Sequence, residues 1–374
     1  MMKTRKKKFP KRKKKRNTID LPEDLVVEIL SRVPEASLAP FRSISKGWNA
    51  LIKKEERLAK KSRILMLIDF RVYLASVDLP GSHENVVKLT TSEFSLKDPL
   101  SNSSKEVDIR NVFHCDGLLL CTTTDKRLVV WNPRSGETSW VKPRISHEES
   151  DIYALGKSSC NKYKILRINT FPYIPTCLVE YEVYDFNTNS WRVTVGENRG
   201  WYILAGRPLC GMSVSGNTYW LAHASSFDEF LLSFDFSTER FGRVSLPPGN
   251  YVSYRVWGLS VTREEQQLCL LTTQSTVVFD IIDLWRATKI KSSGAVSWSK
   301  FLSVDLAYLH HPFGLGYGTN FLADRENKIL VLPGIHGNLY IVGEDKYIKV
   351  DNHDQPTSAR SLLYNYVPTL AQIQ

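Results

Sequence analysis

Two hydrophobic periodicities divide this chain. From Thr18 to Lys61 apolar residues recur at helical spacing: Leu25, Val26, Ile29, Leu30 and Val33, then Leu38, Phe41 and Ile44, then Trp48, Leu51 and Ile52. Pro22 suits a first helical turn, and Glu23 and Asp24 sit where the positive end of the helix dipole favours acids. Pro34 stops that helix, because its ring disfavours the helical conformation at Val33. Ser37 can cap the next one. The pattern predicts three short helices over 17–62. A unit this small needs a metal, a disulfide or a partner. No cysteine precedes Cys115, so a partner or the rest of the chain must cover the surplus apolar face.

Beyond Arg63 the period shortens to two. Short runs rich in Val, Ile, Tyr, Phe and Trp alternate with Gly, Asn, Asp and Ser clusters. Ile64–Ile68, Val72–Val77, Gly117–Cys121, Leu128–Trp131, Glu180–Asp185 and Thr218–Ala222 read as strands. So do Phe230–Phe236, Leu268–Leu271, Thr276–Ile281, Ile329–Leu332 and Asn338–Val342. Ile282–Ala287 reads instead as a turn or two of helix.

Several strands end alike, on an acid or amide followed by a turn and an aromatic. They are V-Y-L-A-S-V-D at Asp78, R-L-V-V-W-N-P at Asn132, Y-E-V-Y-D-F-N-T-N-S-W at Asp185, L-L-S-F-D-F-S-T-E-R-F at Asp235 and T-V-V-F-D at Asp280. The separations are 54, 53, 50 and 45 residues, and a degenerate sixth copy lies near Asp345. In this unit a strand delivers the chain to an Asx-type turn, and Trp140, Trp191 or Phe241 opens the antiparallel return. A four-stranded unit repeated about every 50 residues is what a six-bladed β-propeller requires. The expected fold is α+β multidomain: a short three-helix unit, then an all-β domain over 63–374.

Composition changes that picture in one respect. The net charge of +11 over 374 residues comes from the first sixteen, which hold eleven Lys and Arg and no acid, so the remainder is neutral. Residues 1–16 have no apolar stretch of signal-peptide type, and self-repelling charge predicts a disordered tail. Lys6, Lys7, Lys8, Lys13, Lys14 and Lys15 form a two-part basic cluster of nuclear-import type, which favours the nucleus over the cytoplasm. No base-reading module accompanies it, so nucleic acid is not an expected partner. Neither is a membrane, since no run of 18 apolar residues exists.

Candidate chemistry is sparse. The six cysteines (Cys115, Cys121, Cys160, Cys177, Cys210 and Cys269) form no C-x-x-C pair and have no His at zinc-ligand spacing, which predicts small buried hydrophobes in a reducing compartment and no metal. Asn102-Ser103-Ser104 is a glycosylation sequon, expected to go unused. Gly211–Ser215 lacks the last glycine of a nucleophile elbow, and Gly314–Gly318 lacks a dinucleotide-loop spacing. Adjacent His310 and His311 would diverge in a strand. Glu148, Glu149 and Asp151 could supply paired carboxylates to a glycan-processing propeller. No cofactor is called for.

Two resemblances sharpen the reading. Leu21, Pro22, Ile29, Leu30, Val33, Pro34, Leu38, Ser45, Lys46 and Trp48 match the pattern of an F-box, the helical motif that docks on a Skp-type adaptor; Pro40 departs from it and bears on the start of the second helix. F-H-C-D-G-L-L-L-C at 113–121, V-V-W-N-P at 129–133, G-N-T-Y-W-L-A at 216–222 and L-S-V-T-R-E-E-Q-Q-L-C-L-L at 259–271 resemble the F-box-associated domain, type one, of plant F-box proteins, which has kelch-like relatives. The resemblance implies a non-catalytic substrate-recognition subunit of a Skp–cullin–F-box ubiquitin ligase. Leu21, Pro22, Leu25, Ile29, Leu30, Val33, Pro34, Leu38, Phe41 and Trp48 would meet the adaptor, and through it a cullin and a RING subunit. The β domain would hold a protein target, with Trp201, Tyr202, Tyr251, Tyr254 and Trp257 as candidate anchors. The alternative is a propeller that binds or processes a glycan or small molecule, with the F-box as a tether.

Overall fold

The chain divides into two compact units, Met1–Lys60 and Lys61–Gln374. The computed structural model describes residues 62–78, 88–98, 106–144, 151–169, 178–198, 200–203, 211–224, 228–248, 255–262, 267–274, 281–290, 294–305, 318–325, 327–334, 338–350 and 362–367, with Gly47, Thr369, Ala371 and Ile373 besides. The basic tail and the F-box stretch, with every adaptor-facing residue named above, lie outside the described residues.

The second unit is a six-bladed β-propeller. Its first blade holds β1 (Ser62–Ile68), β2 (Arg71–Asp78) and β3 (Lys88–Phe94). The second runs β4 (Ile109–Cys115), β5 (Leu118–Thr123), β6 (Leu128–Trp131) and β7 (Thr138–Val141). The third is β8 (Ile152–Lys157), β9 (Tyr163–Ile168), β10 (Leu178–Asp185) and β11 (Ser190–Asn198). In the fourth, β12 (Trp201–Ile203) and β13 (Met212–Val214) share one edge of β14 (Asn217–Ala224), followed by β15 (Glu229–Asp235) and β16 (Arg240–Val244). The fifth is β17 (Arg255–Val261), β18 (Leu268–Thr273), β19 (Ile281–Ile290) and β20 (Val296–Asp305). The sixth is β21 (Leu322–Asp324), β22 (Ile329–Pro333), β23 (Leu339–Gly343) and β24 (Lys346–Val350).

Closure comes from the far end of the chain. β25 (Leu362–Asn365) pairs antiparallel with β1, Ile64 opposite Asn365 and Leu67 opposite Leu362, and supplies the inner strand that the first blade lacks. The innermost strands are then β25, β4, β8, β13, β17 and β21. A parallel bridge between Thr262 and Ala323 links the fifth of these to the sixth, consistent with inner strands that all run one way.

Burial explains why some strands are conspicuous in the sequence. β5, β6 and β18 are central in their blades and covered on both faces by neighbouring blades, so they are buried nearly throughout and open on unbroken apolar runs. The outer strands β7, β16 and β24 are partly exposed, and β24 alternates strictly. The core lies between blades: Ile64, Met66 and Ala75 of the first pack against Leu322, Val331 and Ile341 of the sixth.

The repeat is a real structural unit, with one copy displaced. Asn132, Asp185 and Asp235 each follow or end the third strand of a blade, and their Oδ1 atoms accept hydrogen bonds from the backbone N–H groups of Arg134, Asn187 and Ser237. Four residues later each turn enters the left-handed region, at Gly136 (φ 76°), Asn189 (φ 49°) and Glu239 (φ 53°). Asp78 ends β2, and Asp345 lies in the β23–β24 turn. Asp280 does not belong to the series: the third strand of the fifth blade begins just after it, at Ile281. Ile282–Ala287 is therefore strand and not helix. Its misleading feature is Asp283, a buried acid inside a strand, whose carboxylate accepts hydrogen bonds from Gln274 Nε2, Lys300 Nζ and Ser303 Oγ. Of the expected Thr276–Ile281 strand, all but Ile281 lies outside the described residues.

Candidate protein-interaction surface

The topology gives the propeller two unlike ends. First-to-second and third-to-fourth strand connections leave at one end, where Asp116-Gly117, Ser215-Gly216 and the three Asx turns are tight. Second-to-third and fourth-to-first connections leave at the other. Strand ends that flank long gaps between strands, those after β16, β20 and β24 among them, lie there. Loops on a rigid scaffold are where binding residues concentrate, so this loop end is the candidate surface.

Its best-described part is on the fourth blade. β12 pairs with the loop-end half of β14, Trp201 opposite Ala224 and Tyr202 opposite His223. Alternation sends these neighbours to opposite faces. Trp201 packs inward at 5.2 Å from Phe241, beside Tyr181 and Phe234. Tyr202 is half-buried and stacks on His223 at 5.7 Å, and His223 Nε2 lies 3.7 Å from Glu229 Oε1. The exposed Arg243 guanidinium covers the Phe230 ring at 3.9 Å. Tyr202 and Arg243 thus have the character of interface anchors, planar groups already held in place.

The structure separates the other candidates. Trp257 is a core side chain, 8% exposed, and its indole N–H donates to Thr273 Oγ1, so it is no surface anchor. Tyr251 and Tyr254 lie outside the described residues, as do Glu148 and Glu149. Asp151 is occupied: its carboxylate is 2.7 Å from Arg167 Nη2, and Arg167 Nη1 reaches Glu182 at 3.3 Å. Arg144 closes the network on Glu182 at 2.7 Å. Buried Asp151, Arg167 and Glu182 and exposed Arg144 neutralise one another and brace the third blade against the segment after β7. Sequence reasoning offered Asp151 as a catalytic acid and had no means of seeing Arg167 across the sheet.

Among the described residues, no group of three or more His, Cys, Asp or Glu is placed to hold a metal ion. Cys115, Cys121 and Cys269 are buried, and burial pushes their thiols up; Cys160, by contrast with the expectation for all six, is exposed.

Comparison with known proteins agrees with this architecture. Residues 63–373 match the family model of the F-box associated beta propeller domain, and residues 19–60 match that of the F-box domain. Among relatives from Arabidopsis thaliana, putative F-box protein At4g10190 is 52% identical over 380 residues, with 96% of this chain and 100% of the relative covered. Putative F-box protein At3g21130 is 51% identical over 96% of this chain and 99% of its own length. F-box/kelch-repeat protein At3g17530 is 38% identical over 95% of each. This chain belongs to the family of F-box proteins that carry an F-box-associated β-propeller.

Proposed function

We propose that the chain is the substrate-recognition subunit of a Skp–cullin–F-box ubiquitin ligase. The observation that carries this reading is the order of parts: an F-box at 19–60 followed directly by a closed propeller at 63–373. Leu21, Pro22, Leu25, Ile29, Leu30, Val33, Pro34, Leu38, Phe41 and Trp48 are assigned to the adaptor contact. The loop end, with Tyr202 and Arg243 as anchors, is assigned to a protein target. The role is non-catalytic: holding a target beside the ubiquitin-loaded enzyme raises the effective concentration of its lysines and leaves the transfer chemistry to other subunits.

The test is binding of the full chain to a purified Skp-type adaptor by calorimetry. Leu30→Asp places a charge in the proposed apolar contact and weakens binding at least about thirtyfold, the scale of a hot-spot residue. Unaltered binding by a folded Leu30→Asp chain, or no binding by the parent, refutes the assignment.

A further inference from the structure

The tight-turn end of the channel holds a cavity of about 60 Å³, lined by the ends of four inner strands from four blades. Its polar side chains are His114 and Asp116 at the end of β4, Ser213 and Ser215 at the end of β13, Ser260 at β17, and Tyr364 and Asn365 at β25. The volume suits a few waters or one compact polar head group.

What the lining can offer follows from where its protons already go. Ser260 Oγ–H donates to Phe321 O, and Asn365 Nδ2 donates to Val261 O at 2.8 Å. Ser213 Oγ–H donates to Cys115 Sγ at 3.1 Å, and Tyr364 O–H to Val112 O at 2.8 Å. Each of these four side chains spends a donor on the wall itself. It keeps acceptors: the hydroxyl oxygens of Ser213 and Ser260, Asn365 Oδ1 and the half-exposed Asp116 carboxylate. His114 Nε2 is taken by the N–H of Gly117 at 3.1 Å. Burial lowers the imidazole to about 4, so at neutral pH it opposes no cation. Among the described residues one cation stands near: Lys157 Nζ is 3.9 Å from Asp116 Oδ2, too far for a hydrogen bond, and it also lies 5.2 Å from the Tyr163 ring centre.

We propose that this acceptor-lined mouth binds a primary alkylammonium group, a cation whose three N–H bonds match the acceptors. The group can come from a lysine side chain or from a free polyamine. The inference rests on the channel geometry and is independent of the ligase assignment.

The full chain, labelled at its methionine methyl groups, reports through Met212, which lines the cavity. Titration with n-butylammonium shifts the Met212 methyl signal in a saturable way, and tetramethylammonium, equal in charge but without N–H groups, does not. Asp116→Asn, which tolerates the left-handed backbone there (φ 49°), weakens binding about three- to tenfold. Lys157→Met removes the competing cation and tightens binding about two- to threefold. Binding of a capped lysine residue as strong as that of n-butylammonium identifies a protein side chain as a sufficient source; spermidine binding without capped-lysine binding identifies the polyamine. Equal response to tetramethylammonium, an Asp116→Asn affinity equal to the parent's, or no response at all overturns the proposal.

Discussion

The W-N-P asparagine does more than make a turn, and the extra work can be measured. Asn132 is fully buried. Its Oδ1 accepts from the N–H groups of Arg134 and Ser135, as the acids do at the equivalent turns. Its Nδ2 donates to the carbonyls of Thr369, at 3.1 Å, and Ala371, at 3.2 Å. The segment after β25 therefore crosses the tight-turn end of the second blade. There Ala371 and Ile373 pack on the core, and the Ile373 N–H donates to Glu137 Oε1 at 3.3 Å. Gly117 lets it pass: at φ 80°, an added Cβ would stand 2.5 Å from Val367 O. Asn132→Asp keeps the shape and the turn but removes two donated hydrogen bonds, about 1 kcal/mol each, and leaves two buried carbonyls facing a carboxylate. The expected loss is about 3–5 kcal/mol, read as a shift of the urea unfolding midpoint at constant slope. Asp185→Asn, at a turn that holds no such strap, serves as the control and changes stability by under about 1 kcal/mol. In a chain ending at Val367 the Asn132→Asp cost falls to about that of the control, because the interaction energy resides in the pair. An unchanged cost in the shortened chain would refute the clamp.

Other perturbations follow from buried charge. Arg167→Met leaves Asp151 buried without its cation and Glu182 with Arg144 alone, and lowers stability by about 3–5 kcal/mol in thermal or urea unfolding, whereas Arg144→Ala, at an exposed position, costs under about 1 kcal/mol. Equal costs for the two would show that burial of the Arg167 pairs adds nothing. His114 gives a pH signature: its folded value of about 4 lies below the ordinary 6.5, so the unfolded chain binds the proton first as pH falls. Its contribution is complete above pH 6.5 and is lost between there and pH 4, up to about 3 kcal/mol. His114→Phe flattens that part of the stability–pH curve. Burial raises the carboxyls of Glu239 and Asp283, but hydrogen bonds from Lys164 and Arg192, and from Gln274, Ser303 and Lys300, outweigh it and hold both below the ordinary carboxylate range. Their contributions begin to be lost only below about pH 5, so a parent-like slope in the His114→Phe chain between pH 6.5 and 5 would count against the histidine.

What the sequence revealed depended on whether a feature's cause was local. Leu128–Trp131 was legible to the residue because β6 is covered on both faces and the turn after it is made by its own next residue, Asn132. The inner strands β13, β21 and β25 were not: Met-Ser-Val, Leu-Ala-Asp and Leu-Leu-Tyr-Asn are short and mixed, and their partners define them. The Asp280 misphasing has the same origin, since a buried Asp283 looks like a turn until Lys300 and Ser303 arrive from the next strand. At the site level the cost of locality was larger. Asp151 looked free because Arg167 is sixteen residues away and directly across the sheet only after folding. The D-G-L-L glycine and the W-N-P asparagine stood out as motifs, yet their reason lies more than 230 residues downstream, at Thr369 and Ala371. Those two motifs therefore record how the ring is strapped shut and not what it binds. By the same reasoning the channel mouth could have no linear signature, because its acceptors come from four blades, and Ser213, Ser260 and Asn365 each spend a donor on a different neighbour.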